Sequence, residues 1–529
     1  PEIIELLDEA DLLPAIFFIF SRAGCEAAVQ SVLASGIRLT KPEDKQIIRR
    51  VAEEKCGSIA DEDLAALGYF KWLSALERGV AAHHAGLLPA FKEVVEELFL
   101  RKLVKVVFAT ETLALGINMP ARTVVLDRLD KFNGEGRVQI TPGEYTQLTG
   151  RAGRRGIDIE GHSVIQWAAN LEPTYVAGLA SKRTYPLISS FRPTFNMAVN
   201  LIEAFGQRRS REVLETSFAQ FQADRAVIGL VKQQRRNQSA IDELLEQAKC
   251  HLGDFADYAR FRREIKDLET LLSKRGGKRS FDNRQRAHME SEIDGLRRSM
   301  KNHACHSCND REAHARFAER SDRLIRENEG LNNRVMNRTH VIAKTFDRIC
   351  HVLTLLGYIE GEKLLPQGHI LSKIYAESDL LLTESIRRGL LNELTPPELV
   401  SVASAMIFES RSQEDLAPKI PTDNVANTLA AITRVWAELE DLEIEVGVKT
   451  QRSPDLGFCY MIYRWANGSS LNQVLKGSDM SVGDFVRSTK QLVDLLGQIA
   501  NAAPDLNRRC REAVKLIDRG VVTYLLGDI

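Results

Sequence analysis

Short apolar segments and amphipathic segments alternate along the first third of the chain. Apolar runs begin near residues 16, 80, 105, 124 and 163, and AIFFIF at 15–20 shows the pattern most clearly. Continuous runs of this length are typical of strands buried on both faces, as in parallel sheets. The stretches between them have helical spacing, and one such face carries Phe91, Val94, Val95, Leu98 and Phe99. The pattern predicts an α/β domain over residues 1–184.

From residue 185 onward the apolar positions follow helical spacing almost throughout. In residues 224–338, one amphipathic face carries Tyr258, Phe261, Ile265, Leu268 and Leu272, and another carries Phe317, Leu324 and Leu331. Two long helices joined by a turn would bury these faces against each other, so we expect a helical stalk. The basic segment KRGGKRSFDNRQR at 274–286 lies between them. It fits an RNA-contacting tip and a solvated charged loop equally well.

The last region, residues 376–529, is predicted to be a helical bundle. Ser481 and Asp484 form a capping-box-like start for one amphipathic helix. Its apolar face carries Phe485, Thr489, Leu492, Leu496 and Ile499. Its other face carries Arg487, Lys490, Asp494 and Asn501. The polar face is either a nucleic-acid contact or an ordinary solvated surface.

Composition narrows the classes of function. The 529 residues contain 71 Lys and Arg against 72 Asp and Glu, so nucleic-acid affinity must come from local surfaces rather than net charge. Eight scattered cysteines suit a reducing compartment, and no apolar run is long enough to cross a membrane. Because the chain starts at Pro1 directly before a strand, we expect a fragment of a longer protein, and a removed targeting sequence would be invisible.

An arginine-rich segment, GEYTQLTGRAGRRGID at 143–158, is the main candidate for chemistry. Arg151, Arg154 and Arg155 alternate with glycines there, and Gln147 precedes them. Guanidinium groups suit the charge that spreads over a phosphoryl group in its transition state, whereas the alternative is a surface turn. The sequence contains no G-x-x-x-x-G-K-[ST] loop and no DExH tetrapeptide. We therefore predict no ATPase activity from this chain alone.

A second candidate lies at a strand end within VVFATETLALGINMPARTVV at 106–125. Thr110 and Glu111 follow the strand, and Gly116 and Asn118 come shortly after. Ligands of open α/β sheets collect at the carboxyl ends of strands. Further along, the Asn133-Gly134 pair predicts a β-hairpin.

Cysteine and histidine residues cluster in HACHSCNDREAH at 303–314. Cys305 and Cys308 have zinc-ligand spacing with His303 and His306 nearby. Structural zinc sites usually have a second, separated pair of ligands. The only further candidate ligand close by is His314. We therefore expect packing and assign no metal, although the sequence leaves zinc open. The His83-His84 pair has no further ligand nearby and is not assigned to metal either.

The two candidate stretches resemble motifs V and VI of superfamily 2 helicases. The sequences TETLALGINMPA and QLTGRAGRRG are similar to those motifs in the Ski2/Mtr4 branch of DExH RNA helicases. AIFFIFSRAGCEAAV resembles motif IV, and GVAAHHAGLLP, SSFRPTFNM and the C-terminal helices resemble further elements of that branch. The resemblance implies an α/β RecA-like motor domain followed by mainly α domains. These are a winged helix (185–223 plus 339–375), a helical stalk or reduced arch (224–338) and a DSHCT helical bundle (376–529).

The same resemblance implies roles for individual residues. In the intact protein, Arg151 and Arg154 reach the γ-phosphate of ATP and Gln147 helps to set them, while Gly116, Asn118 and Arg155 bind the nucleotide. The residues implied to contact RNA are Ser21, Arg22, His84, Thr110, Glu111, Lys131, Asn133, Arg487 and Lys490. Ser21 would look the same as a simple helix cap. The hairpin at 131–137 would split duplexes.

The function implied is the C-terminal part of an ATP-dependent RNA helicase that unwinds or remodels RNA in processing or decay. ATP and Mg²⁺ are expected in the intact protein and neither in this chain alone. Expected partners are RNA, the missing N-terminal RecA-like domain and RNA-processing proteins, with no membrane. Plastid members of the branch suggest a chloroplast location, and actinobacterial members the bacterial cytoplasm. Two alternatives remain open: a Hel308-type DNA helicase, and a non-catalytic RNA-binding scaffold that recruits partners.

Overall fold

The structure is a computed structural model that describes residues 1–114, 119–132, 136–154, 156–169, 171–181, 184–185, 187–273, 283–338, 341–410 and 418–525. The chain divides into two compact units. The first comprises Pro1–Leu187, Thr194–Gln207 and Arg348–Ile529, and the second comprises Ile188–Pro193 and Arg208–Asp347. Within the described residues, no helix is long and apolar enough to cross a membrane.

A parallel sheet forms the core at the start of the first unit. The strands of the whole chain are β1 (Ala15–Phe18), β2 (Val80–His83), β3 (Val106–Ala109), β4 (Thr123–Leu126), β5 (Asp130–Phe132), β6 (Arg137–Gln139), β7 (His162–Ile165), β8 (Ile359–Glu360) and β9 (Lys363–Leu364). The parallel sheet has the order β2-β3-β1-β4-β7. Every residue of β1, β3 and β4 is buried, as the apolar runs predicted. The α/β prediction is therefore confirmed.

Helices cover the sheet, and local sequence signals set where several of them begin. They are α1 (Glu2–Glu9), α2 (Arg22–Ser35), α3 (Asp44–Cys56), α4 (Asp61–Ala66), α5 (Tyr69–Leu76), α6 (Pro89–Leu100), α7 (Pro142–Thr149) and α8 (Pro173–Ser181). Ser21 caps α2 through its hydroxyl, and Thr141 with Glu144 forms a capping box on α7. Strands β5 and β6 pair antiparallel, so the predicted hairpin is present, although its Asn133-Gly134 turn lies outside the described residues.

The next helices are α9 (Phe195–Glu215), α10 (Phe218–Gln247), α11 (Phe255–Ser273), α12 (Asn283–Asn302), α13 (Arg311–Arg338) and α14 (Val341–Leu355). In the second unit, α10 packs along α13 and α11 packs against α12. The expected pair of long helices is therefore wrong: each predicted long arm is divided by a turn, so that α10 to α13 form two helical pairs. Tyr258 and Ile265 are buried as predicted, and so is Leu331.

The last region is the predicted helical bundle. Its helices are α15 (Pro366–Leu371), α16 (Asp379–Arg387), α17 (Pro396–Ser404), α18 (Asp423–Val446), α19 (Cys459–Ala466), α20 (Leu471–Leu475), α21 (Val482–Ala502) and α22 (Pro504–Ile517). The long helix α21 packs on α17 and α22. Its apolar face is buried as predicted, including Phe485, Thr489, Leu492, Leu496 and Ile499.

A buried tryptophan fastens α19 to its neighbours. The Trp465 indole N–H donates to the carbonyl of Ile517 at 2.9 Å, and its ring lies 5.3 Å from the ring of Phe485, edge to face. The Arg519 guanidinium stacks on the other side, 3.7 Å from the ring centroid. Trp465 is 1 % exposed. It therefore ties α19 both to α21 and to the end of α22.

Candidate nucleotide and nucleic-acid interface

The arginine segment is a loop held close against the strand-end segment. After α7 ends, the Ala121 N–H donates to the carbonyl of Arg151 at 2.9 Å and the Gly153 N–H to the carbonyl of Ala121 at 2.8 Å. The Arg151 guanidinium donates to the carbonyl of Ala114. Gly161 lies so close that a Cβ there would meet backbone of Ala152 at 2.4 Å. The loop is therefore positioned by backbone on both sides.

Arg154 is held by a carboxylate that the sequence analysis did not single out. Its guanidinium donates Nε to Asp158 Oδ2 at 2.7 Å and Nη2 to Oδ1 at 2.6 Å. The side chains are only 12 % and 6 % exposed, respectively. The hydrogen bond from Arg154 outweighs burial and lowers the pKa of Asp158 to about 2. Such a bidentate pair fixes the plane of the guanidinium. Asp158 was detectable as an acid four residues beyond Arg154.

The other predicted nucleotide contacts have different outcomes. Gln147 is exposed on α7, toward the end that leads into the loop. Gly116, Asn118 and Arg155 lie outside the described residues. The structure thus brings Arg151 and Arg154 together in one anchored loop.

Three residues predicted to bind RNA, Thr110, Glu111 and Lys131, are described by the structure. Glu111 and Lys131 pair with each other. The Lys131 ammonium lies 2.6 Å from Glu111 Oε2 and 2.6 Å from Glu144 Oε1. Although burial lowers the pKa of Lys131, the hydrogen bonds that it donates to these two carboxylates raise the pKa overall. The Thr110 hydroxyl lies 2.9 Å from that of Thr112. Lys131 therefore fastens the hairpin to α7 and to the segment after β3.

The exposed side chain of the hairpin is aromatic. Phe132 is 64 % exposed at the end of β5, opposite Arg137 in the register of the hairpin. Asn133 lies outside the described residues. An exposed ring at the end of a strand can stack on a base.

A polar junction joins the start of α2 to the start of α21. Arg22 donates to Asp484 Oδ2, and Asp484 also accepts from the Ser481 hydroxyl at 2.8 Å and from Arg487 at 2.6 Å. Burial would raise the pKa of Asp484, but Ser481, Arg22 and Arg487 together lower it. Ser21 itself accepts from the Gly24 N–H at 3.2 Å, so its visible role is the helix cap. We call Arg22, Ser481, Asp484 and Arg487 the arginine junction.

The predicted His84 loop contacts the same place. His84 is 5 % exposed, with Nε2 2.9 Å from Glu26 Oε1 and Nδ1 accepting from the Gly86 N–H at 3.1 Å. The Gly483 N–H donates to the Gly86 carbonyl at 3.2 Å. His84 therefore shapes the loop on which α21 begins. His83 points to a different acid, Glu96, at 2.9 Å.

The polar face of α21 continues outward from the arginine junction. Arg487, Asp494 and Asn501 are exposed at seven-residue spacing. Lys490 is half-buried, and desolvation lowers its pKa against the opposing charge of Asp518. Lys490 therefore contributes less to this face than predicted.

An aromatic side chain that sequence reasoning missed lies beside this face. Tyr375 is 68 % exposed, and its N–H donates to Gln498 Oε1 at 2.7 Å. Lys373 Nζ donates to the carbonyl of Asn501 at 3.5 Å. The only sequence signal was a Lys-x-Tyr in a loop between two helices. We call Tyr375 together with Arg487, Asp494 and Asn501 the α21 stripe.

A parallel α/β lobe with an anchored arginine loop, joined to this bundle, defines the second motor lobe of a helicase. Residues 31–156 match the helicase conserved C-terminal domain, and residues 361–525 match the DSHCT (NUC185) domain. The chain is 38 % identical over 646 residues to the probable helicase HelY of Mycobacterium tuberculosis, covering 100 % of this chain and 71 % of that protein. The chain belongs to the HelY family of Ski2/Mtr4-like helicases.

More distant relatives extend the same likeness. The exosome RNA helicase MTR4 of Homo sapiens is 24 % identical over 669 residues, covering 98 % of this chain and 63 % of that protein. The antiviral helicase SKI2 of Saccharomyces cerevisiae is 40 % identical over 229 residues, covering 42 % of this chain and 17 % of that protein. The predicted relationship to Ski2/Mtr4-like helicases is confirmed.

Proposed function

We propose that this chain supplies the second motor lobe and the strand exit path of an ATP-dependent RNA helicase that unwinds or remodels RNA. The observation that carries the proposal is the arginine junction. It joins the start of α2, where Ser21 and Arg22 are implied to hold the RNA backbone, directly to the start of α21 through Arg22 and Asp484. A single RNA strand bound at Arg22 therefore continues onto the α21 stripe over continuous polar surface.

The α21 stripe has the chemistry that a single strand requires. Arg487 grips a phosphate or stacks on a base, and Tyr375 offers a second stacking surface. Contacts of this kind are tolerant of base sequence, because every base has a π-face. The human relative MTR4 is an exosome RNA helicase, which supports RNA as the substrate.

The residues of this chain fit one half of an ATP site. Arg151 and Arg154 offer donors in an anchored loop, which suits phosphate oxygens. Two acids near the strand ends, Glu111 and Glu144, are already paired with Lys131. ATP with Mg²⁺ supplies the phosphoryl group whose hydrolysis drives motion. We propose that a phosphate loop on another domain completes the site and that this chain alone does not hydrolyse ATP.

The remaining assignments follow the same proposal. The hairpin formed by β5 and β6 separates duplexes with Phe132 as a wedge, while Lys131 fixes its base. The hairpin of β8 and β9 after α14 is the wing of a winged helix that braces the motor, and α10 to α13 form a reduced stalk. The bacterial cytoplasm is the compartment that the mycobacterial relatives favour, and a chloroplast location stays a prediction.

The experiment for the exit path is binding of labelled single-stranded RNA to this chain across a salt series. Arg487→Ala should weaken binding about tenfold, the effect of losing one stacking or phosphate contact, and should lower the salt slope by about one if the contact is to phosphate. Arg508→Ala is the matched control, because Arg508 is an exposed arginine on the neighbouring helix α22. It should bind as wild type.

The same titration distinguishes the alternatives. Stronger binding to single-stranded DNA than to RNA would favour the Hel308-type DNA helicase. No binding even at low salt would remove the exit path from this chain and favour the scaffold. Equal affinity of wild type and Arg487→Ala would contradict the role of the α21 stripe.

A further inference from the structure

Two short connections meet inside the second unit and bring cysteines from distant parts of the chain together. The connection from α10 to α11 makes a tight turn in which Cys250 and Gly253 form an antiparallel bridge. The connection from α12 to α13 is a 3-10 turn, Ala304–Ser307, ending at Cys308. A Cβ on Gly253 would lie 3.6 Å from Cys305 Sγ. The two turns are therefore in direct contact.

The side chains at this contact have the composition of a metal site. The ligand atoms of Cys250, His251 and Cys308 all lie within 4.8 Å of one another. The Cys250 thiol also interacts with the Cys305 thiol. All of these cysteines are free thiols. Two sulfur atoms and one imidazole thus converge, and the third sulfur, of Cys305, adjoins Cys250. Together they make the ligand set of a Cys3His zinc centre.

His251 is the histidine best placed to complete the set. It is exposed in the turn, with a ring nitrogen already among the sulfurs. Among the described histidines, His251 is the one grouped with the sulfurs, whereas His303, His306 and His314 have no ring nitrogen within 4.8 Å of two of them. The proposed ligand histidine is therefore distinct from those of the 303–314 segment.

We propose that Cys250, His251, Cys305 and Cys308 form a structural zinc site that locks together the ends of α10, α11, α12 and α13. Zinc prefers four tetrahedral nitrogen and sulfur ligands, and closed sites of this kind hold small domains together. The apolar cluster at this junction is small, made of Ala248, Phe255, Tyr258, Cys305, Ala315 and Ala318. So few side chains bury little apolar surface and contribute little stability. A metal crosslink between two connections far apart in sequence would add to it.

The first test is the zinc content of the purified 529-residue chain by elemental mass spectrometry. We expect about one zinc ion per chain, with loss of most of it in Cys250→Ala and Cys308→Ala. Cys510→Ala is the matched control, because Cys510 is buried in α22 of the other unit, and it should keep its zinc. Among histidines, His251→Ala should lower zinc affinity at least tenfold, whereas His314→Ala should not.

The second test stays decisive even if a cysteine variant fails to fold. Cobalt(II) titrated into the metal-stripped wild-type chain should give the visible bands of a tetrahedral ion and the ultraviolet absorption of cobalt–thiolate bonds, and zinc should displace it. A wild-type chain that binds neither ion overturns the proposal. So does a zinc content unchanged in Cys250→Ala, an iron–sulfur absorption spectrum, or loss of two thiols to a disulfide under conditions where metal is offered.

Discussion

We expect ATP turnover by the full-length protein to fall about a thousandfold or more when Arg154 is replaced by alanine. An arginine that stabilises the charge of a transferring phosphoryl group contributes on the order of 10³ to 10⁵ in rate. Arg154→Lys does not restore turnover, because a point charge cannot reproduce the planar fork that Asp158 holds. Arg101→Ala, which removes an exposed arginine at the end of α6, leaves turnover unchanged. Steady-state ATPase assays with saturating RNA measure all three.

Stability has to be separated from catalysis in this experiment. Arg154→Ala removes both side-chain hydrogen bonds to Asp158, which still accepts from the backbone N–H of residue 154, and should cost about 2 kcal/mol. The double variant Arg154→Ala with Asp158→Ala should recover most of this stability and none of the turnover. Because the folded pKa of Asp158 is about 2, below its unfolded value, the pair contributes throughout the neutral range, and its contribution is lost as pH falls through about 2. Wild-type turnover in Arg154→Ala would make Arg154 a structural partner of Asp158 only.

The bundle loses about 4 kcal/mol of unfolding free energy when Trp465 is replaced by alanine. The change leaves a cavity beside Phe485, removes the bond to Ile517 and removes the surface on which Arg519 stacks. Trp465→Phe should cost less, because its ring still fills part of the space. Urea denaturation followed by circular dichroism measures the loss, and Trp167→Ala, at a tryptophan that is 68 % exposed, should leave the transition in place. An unchanged midpoint in Trp465→Ala would contradict the packing role.

Local sequence patterns predicted the elements and much less of their contacts. The buried strands, the cap at Ser21 and the apolar face of α21 each depend on neighbours a few residues away, so periodicity and capping rules sufficed. The pairing of Arg22 with Asp484 joins residues 462 positions apart. No spacing rule reports such a pair, since both residues are ordinary charged positions in their own helices.

The second unit also shows that local patterns predict helices but not the contacts between distant residues. The apolar spacing around Tyr258 and Leu331 predicted helices, but not that a turn at residues 248–254 divides the first arm. The same turn carries Cys250 and His251 to Cys308. The second pair of the proposed zinc ligands comes from a connection more than fifty residues upstream, which the spacing of neighbouring residues does not report.

The most direct measurement of the central proposal is ATP hydrolysis by the full-length protein with and without single-stranded RNA, with DNA of the same sequence as comparison. An RNA helicase whose second lobe and exit path lie in this chain should hydrolyse ATP faster with RNA than with DNA, and Arg487→Ala should raise the RNA concentration needed for half-maximal stimulation. ATP turnover that RNA does not stimulate, or that only DNA stimulates, would contradict the proposal.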